Sequence, residues 1–373
     1  MCENNSTTGS TARIGVFREL LAHLQAAGYT FVCPSPETQM RVVVPRSLQI
    51  AQTGRNTLED AFGWSLEIQQ EKITELLPSH LFQRLCHAGV LYQKRSSGPY
   101  KSSVRVSDLH LSRHHYQQSG NGASSPSYYN YYLHSAFPVT QDSAFFGPDT
   151  YLFLDFLALS RHYLSPRAVR TIVDVCCGPG AGAIHMARGF PRAAVIGLDL
   201  NDKALELAGI NAALALPESS DVRFCRSHLF SSLPGLLPDG VEVDVIVANP
   251  PYIASKNGRR GDTGPTPMYA DGGASLGLEM SMSIVREGVR FLAPGGVLLL
   301  YTGVTIVAAS PGHDPFLTWI LAQGQYQLLD YRVCHPDMWP EEIGNGAYVD
   351  AARIQVVGAA LRKRNIKGEG ARG

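Results

Sequence analysis

Neither sign of charge is in excess in this chain. Lysine plus arginine number 32, aspartate plus glutamate 32, and the formal net charge is zero. A reader of duplex nucleic acid usually carries a basic excess, so the balance counts against that partner class. No apolar run reaches the ~18 residues that a membrane-spanning helix needs, so no membrane partner is expected. The stretch Met1-Cys-Glu-Asn-Asn-Ser-Thr-Thr-Gly-Ser10 has neither the cationic nor the apolar segment of a secretory signal, so a cytoplasmic location is expected. The seven cysteines include no CxxC pair and no Cys/His spacing that suits zinc. Cys176 and Cys177 read as free thiols of a core strand in a reducing compartment. His110, His114 and His115 have no carboxylate or cysteine beside them to complete a metal set and read as surface residues. No metal site is expected.

At 373 residues and 45% apolar, the chain suits two domains, or one large domain with an extension. Residues 1–12 read as a disordered leader. Residues 13–30 read as an amphipathic helix with Ile14, Phe17, Leu20, Leu21 and Leu24 on one face and Gly28 closing it. Further helical pieces fall within 58–94. Residues 90–94 and 103–109 read as a short hairpin around the polar turn at 96–99. Helices followed by a hairpin resemble a winged-helix module. A DNA-reading version should carry Lys or Arg on its second helix. Here that helix offers Arg84 with His80 and His87, so 13–116 is expected to cap or dock substrate. Residues 117–135 read as a linker. Its tyrosines Tyr128, Tyr129, Tyr131 and Tyr132 suit a base-stacking platform or, the preferred reading, a loop that becomes an edge strand.

From residue 136 the pattern changes to alternating strands and helices. Pro148 opens a helix through Leu157. Strands are predicted at 171–176, 194–199, 222–226, 243–248, 296–302, 327–334 and 353–359. Helices are predicted at 182–189, 202–215, 275–292 and 314–323. The alternation predicts an α/β fold, a Rossmann-like, doubly wound seven-stranded sheet over 136–361. The last two strands lack a clear crossover helix, so the final one is expected to run antiparallel. Residues 362–373 read as a basic tail.

Two stretches carry the chemistry. Thr171-Ile-Val-Asp-Val-Cys-Cys-Gly-Pro-Gly-Ala-Gly182 and Val243-Asp-Val-Ile-Val-Ala-Asn-Pro-Pro-Tyr252 each begin as a buried apolar strand. Each ends in residues that cannot continue one. Ligands of open α/β sheets bind at the carboxyl ends of strands, so both endings should line one crevice. In the first, Gly178, Gly180 and Gly182 let the backbone turn and approach a ligand closely. Asp174 precedes them and can reach a ligand's ammonium. Asp199 ends the second strand, where an acid accepts both ribose hydroxyls. A nicotinamide site is the runner-up. It would want GxGxxG for a pyrophosphate at the helix start, and here the third glycine comes one residue early.

Asn249-Pro250-Pro251-Tyr252 is the most specific feature. A planar NH₂ group is a poor nucleophile because its lone pair is delocalised. The Asn249 side-chain oxygen and the Pro250 carbonyl can accept its two hydrogens and aim the lone pair at an electrophile. Those hydrogen bonds strengthen as the nitrogen becomes cationic, which stabilises the transition state selectively. Pro251 has no N–H and a fixed φ. Tyr252 can stack on a flat acceptor.

Together these features resemble class I S-adenosyl-L-methionine (SAM) methyltransferases of the Asn-Pro-Pro-Tyr type over residues 136–360. They are similar in particular to the glutamine N5-methyltransferases that modify peptide-chain release factors. Phe146-Gly-Pro-Asp-Thr150 sits where that group has a Pro/Thr-containing stretch beside the cofactor. Tyr269-Ala-Asp-Gly-Gly-Ala-Ser-Leu-Gly-Leu278 resembles its Ala-Leu-Asp-Gly-Gly stretch. Ser227-His-Leu-Phe230 takes the place of a loop that holds the adenine amino group, with His228 where an acid is usual. The resemblance implies SAM as cofactor and Asn249, Pro250 and Tyr252 as catalytic residues. It puts Phe146, Thr150, Asp174 and Cys176 at the cofactor, with Gly178, Pro179, Gly180 and Gly182 of the loop. It adds Asp199 and Leu200 after the second strand, Ser227, His228 and Leu229 after the third, and Asn249. The implied function is N-methylation of an amide or amino nitrogen on a protein, peptide or small molecule. Three alternatives share the motif: cyclisation of SAM through its own amine with methylthioadenosine released, N6-methylation of adenine in nucleic acid, and a non-enzymatic SAM sensor. The acceptor and the oligomeric state are not written in the sequence.

Overall fold

The computed structural model describes residues 7–109, 130–165, 168–255 and 266–365. Residues 1–6, His110, His114, His115, Tyr128, Tyr129 and the tail from 366 lie outside them. The chain divides into two compact units. One comprises residues 1–151 with 178–180 and 203–218, the other residues 152–177, 181–202 and 219–373.

The first unit opens on α1 (Thr7–Ala26), six residues before the expected helix start. Phe17, Leu20, Leu21 and Leu24 are wholly buried along it. Gly28 ends it at φ 72, and the Tyr29 N–H returns to the Leu24 carbonyl at 2.9 Å, a left-handed cap that glycine adopts without strain. The next helix, α2 (Pro36–Thr53), was not foreseen. Ser35 caps its start by accepting the Thr38 N–H, and Gly54 closes it at φ 63. Its one buried residue is Gln39, and Met40, Val44 and Leu48 are exposed, so it offers no apolar periodicity facing a core. Three short helices follow: α3 (Leu58–Phe62), α4 (Gln70–Leu76) and α5 (Ser79–His87).

Strand β1 (Leu91–Gln93) pairs antiparallel with β2 (Tyr100–Ser102), so the second arm of the hairpin lies nearer the turn than predicted. The segment expected as that arm is a separate strand, β3 (Val104–Asp108), which pairs antiparallel with β4 (Tyr131–Ser135). Every residue of both is buried, and β4 is the edge strand that the end of 117–135 was expected to form. Tyr131 and Tyr132 are therefore core rings, not a solvent-facing platform. The Tyr131 hydroxyl donates to the Tyr29 carbonyl and the Tyr29 hydroxyl to the Val106 carbonyl, both at 2.7 Å.

The second unit takes up the chain within α6 (Pro148–Ser160). Then come β5 (Thr171–Val175), α7 (Ala181–Gly189), β6 (Ala194–Asp199), α8 (Asp202–Ala215, assigned from Lys203 to the first unit) and β7 (Val222–Arg226). They are followed by β8 (Val243–Ala248), β9 (Ile253–Ala254), β10 (Asp271–Gly273), α9 (Glu279–Gly288), β11 (Leu292–Val307), α10 (Pro315–Leu321), β12 (Tyr326–His335) and β13 (Ala351–Lys363). Seven strands form one sheet in the order β12-β13-β11-β8-β5-β6-β7. β5 through β11 pair in parallel. β13 runs antiparallel between β11 and β12, as the missing crossover helix implied. The parallel core strands read as continuous β-branched runs because both faces are covered: every residue of β5 is buried.

Close packing of α6 on this sheet depends on one glycine. A Cβ at Gly358 in β13 would lie 2.3 Å from the Phe156 ring. Gly358→Ala should therefore destabilise the chain by about 1–3 kcal/mol, the usual cost of overpacking a core. Urea unfolding followed by circular dichroism should show a lower midpoint at unchanged slope.

Candidate functional site

The site begins with the register of two neighbouring strands. Val175, the last residue of β5, is the partner of Ala248, the last residue of β8. Val175 is also the partner of Leu198, which precedes Asp199. The chain thus leaves β5, β6 and β8 at one edge of the sheet, and Asp174, Asp199 and Asn249 gather there.

After β5 the backbone turns through positive φ at Cys176 (59°), Gly178 (52°) and Gly180 (87°). A Cβ on Gly178 would meet nothing within 4 Å, so the surroundings of that residue are open. Within the first unit, the Pro179 carbonyl accepts the Asn211 side-chain amide at 2.9 Å, and Asn211 also binds the N–H and carbonyl of Leu133. Asn211 was missed in the sequence, where it is one polar residue in a helix. The thiols of Cys176 and Cys177 are pushed up by burial, with Asp199 and Asp174 adding to the shift, so both are neutral.

Asp174 is 1% exposed. Its Oδ2 accepts the Ala183 N–H at 2.7 Å, which ties β5 to the first turn of α7. Gly182 permits this approach, since a Cβ there would lie 2.7 Å from the same oxygen. Oδ1 takes no hydrogen bond among the described residues. Burial, helped by the charge of Asp199 and opposed by the Ala183 hydrogen bond, raises the carboxyl pKa to about 8. A buried acid with one uncommitted oxygen suits an ammonium ligand. Asp199 accepts the Asn201 N–H at 2.9 Å and lies half-buried at the end of β6.

The loop expected to hold adenine is bonded within itself. The Ser227 hydroxyl donates to the Leu229 carbonyl at 2.8 Å and accepts the Ser232 N–H at 3.0 Å. These bonds shape its own turn and leave one lone pair of the hydroxyl over. Leu229 is buried at φ 46 in the same turn. His228 is exposed, and Leu200 is an apolar side chain 41% exposed beside Asp199. Phe146 and Thr150 belong to the first unit. Phe146 is 1% exposed, ringed by Tyr132, His134 and Tyr151, and its carbonyl accepts the Cys33 thiol. The Thr150 hydroxyl accepts the Gly147 N–H.

The turn after β8 is held by its surroundings. Asn249 is half-buried, Pro250 buried, and Tyr252 5% exposed. Three glycines make room for Tyr252. A Cβ at Gly303 would lie 2.2 Å from its ring, at Gly277 2.0 Å from its carbonyl oxygen, and at Gly272 2.6 Å from its Cα. Gly272 and Gly277 lie in the Tyr269–Leu278 stretch, and here is the physical reason for those glycines. The parallel pairing of β9 with β10 fixes the next residues. The segment between β12 and β13 adds two bonds: the Trp339 indole donates to the Tyr252 hydroxyl at 2.9 Å, and the Tyr348 hydroxyl accepts the Ala254 N–H at 2.7 Å. Neither aromatic was foreseen, because nothing local in the sequence joins residues almost a hundred positions apart. Tyr252 is thus a wedge with a fixed hydroxyl.

Residues 168–311 match the family model described as "Methyltransferase domain". Over this stretch the chain is similar to methyltransferase domains. Among curated proteins the chain is 33% identical to a ribosomal protein uL3 glutamine methyltransferase of Neisseria meningitidis, over 42% of this chain and 50% of that protein. It is 32% identical to a release factor glutamine methyltransferase of Koribacter versatilis, over 42% and 54%. It is 35% identical to a 4-amino-L-phenylalanine/4-methylamino-L-phenylalanine methyltransferase of Streptomyces pristinaespiralis, over 38% and 46%. The chain spans about half the length of the curated relatives it matches. The domain resembles the glutamine methyltransferase group, as the motif stretches implied.

The raised pKa of Asp174 has a signed consequence for stability. The unfolded carboxyl titrates near 3.8 and the folded one near 8, so the native state holds the proton more tightly. Its contribution is full below the unfolded pKa and is lost as pH rises through the folded one. The ligand-free chain should therefore lose stability from pH 4 to 8, and Asp174→Asn should flatten that slope. Chemical unfolding at several pH values measures both.

Proposed function

We propose that the chain is a SAM-dependent N-methyltransferase acting on an amide or amino nitrogen of a protein, peptide or small molecule. The observation that carries this reading is Asn249-Pro250-Pro251-Tyr252 held rigidly at the end of β8, one strand from the acid-and-glycine turn of β5. The matched relatives, named for glutamine and amino-phenylalanine substrates, support a nitrogen acceptor of this kind.

SAM supplies a methyl group on a cationic sulfur. The residues of the second unit fit such a cofactor: Asp174 would take its ammonium and Asp199 its ribose hydroxyls. The acceptor NH₂ donates one hydrogen to the Asn249 side-chain oxygen and the other to the Pro250 carbonyl. Its lone pair is then held perpendicular to the acceptor plane. As the nitrogen gains positive charge both hydrogen bonds shorten, which lowers the barrier selectively. Tyr252 keeps the turn from drifting, through its ring on Gly303 and its hydroxyl under Trp339. A displacement of about 1 Å in such a site can cost roughly 100-fold in rate.

Asn249→Ala should lower kcat by roughly 100- to 1,000-fold with SAM affinity within about 3-fold of the parent, since it removes a bond that matters most in the transition state. The assay is the fate of SAM with protein, nucleic-acid and small-molecule fractions of a cell extract. S-adenosylhomocysteine formed only with the protein or small-molecule fraction supports the proposal. Methylthioadenosine from SAM alone would make SAM the substrate, and a product tied to the nucleic-acid fraction would make the acceptor a base.

A further inference from the structure

Helix α2 is seated with its polar side inward. The Gln39 side chain is wholly buried, donates to the Trp64 carbonyl at 2.7 Å and accepts a hydrogen bond from the Arg105 guanidinium at 3.1 Å. Arg46 is paired with Asp60, which is itself wholly buried. At about 3.6 residues per turn, Gln39 and Arg46 share one side of the helix. Met40, Val44 and Leu48 recur every four residues on the opposite side, and they are 57%, 63% and 61% exposed. The apolar stripe of a surface helix ordinarily faces the core. Here it faces away from it. Nothing inside the helix makes up for that. Val42, Val43 and Val44 are β-branched, and Pro45 removes a backbone hydrogen bond. Most helical stability comes from packing an amphipathic face, and this face is bare in a single chain.

The charges at the two ends of the stripe say what fits it. Glu37 lies in the first turn of α2, paired with Arg41, and Arg55 is exposed directly after the Gly54 cap. Each stands nine residues from position 46, one to either side. A second copy of α2, laid antiparallel across a two-fold axis at that position, sets Val44 of each copy against Leu48 of the other. The same pairing sets Glu37 of each copy against Arg55 of the other, at both ends. A parallel pairing would set like charge against like. The stripe is thus complementary to its own reverse, which is what a two-fold interface requires. The net charge of zero leaves no long-range repulsion to keep two copies apart.

We propose that α2 is the interface of a homodimer, in which two copies of the chain pack Met40, Val44 and Leu48 antiparallel, with Glu37–Arg55 pairs at both ends. The dimer is independent of the methyl-transfer proposal and stands or falls without it. One helix pair makes a small interface, below roughly 1,200 Å² in all, so association is weak, with a Kd of roughly 1–100 μM.

The test is sedimentation velocity of the full chain from about 1 to 300 μM. The mass should rise with concentration from one chain to two. Val44→Lys replaces a side chain that is exposed in the single copy, so its circular dichroism should match the parent. It should weaken association at least roughly 10-fold, because a two-fold interface loses the contact twice. Glu37→Arg and Arg55→Glu should each weaken it roughly 3- to 10-fold, since each sets like charges against each other across the axis. The double exchange should restore the parent's affinity to within about 3-fold, since opposite charges then meet again. A single-chain mass over the whole range would overturn the proposal. So would a dimer indifferent to Val44→Lys, or one that the double exchange does not restore.

Discussion

The second unit depends on how little space surrounds Tyr252. Its backbone and ring are approached so closely by Gly272, Gly277 and Gly303 that a methyl group at any of the three would fall inside van der Waals contact. Native interiors are packed to the density of organic crystals, and a wedge at that density has one position. The turn before it inherits that rigidity. Asn249 follows β8 at a fixed register, Pro251 has a fixed φ, and Tyr252 is clamped at ring, backbone and hydroxyl. Positional precision is what accepting two hydrogens from one planar nitrogen demands. Geometry is the means by which the proposed turn would lower a barrier.

Much of this was legible because it is local. Strand, glycine turn and helix follow each other within a dozen residues at 171–182, and the β-branched runs identify buried parallel strands without knowledge of their neighbours. The antiparallel β13 was legible from a missing helix. What was hidden is what long-range contact decides. Trp339 and Tyr348 reach the turn from the far end of the chain. β3 pairs with β4 rather than with the adjacent arm, across a loop whose length no pattern in either strand specifies. Helix α2 buries one glutamine, so its sequence has no apolar stripe that faces a core. The bonds that the Ser227 hydroxyl makes within its own turn were hidden too, because the tight turn at Leu229 that brings the Ser232 N–H and the Leu229 carbonyl to it has no local signature.

Both units keep an ionisable group where hydration is poor, and they handle it in opposite ways. Arg105 cannot give up its proton, so its charge persists and is met by carbonyl, amide and ring dipoles. Asp174 can take a proton, and burial drives it to do so, with a pKa near 8. The difference decides what each can do. A permanent cation attracts an anion whatever the pH. A carboxyl that is neutral when empty spares the fold a buried unpaired charge, at a cost in stability that grows as pH rises from 4 to 8, and a cation that arrives to compensate the charge favours the carboxylate.

That last property bears on why an aspartate occupies this place inside β5. An ionised acid there, without a partner, would strain the strand at the centre of the sheet. A permanently neutral residue would offer no charge to a cationic ligand. An acid poised between the two states lets binding itself create the charge. One oxygen takes the Ala183 N–H and ties α7 to β5, and under the proposed function the other would face the ligand's ammonium. The same side chain thus joins strand to helix and, under the proposed function, would meet the cofactor's positive charge.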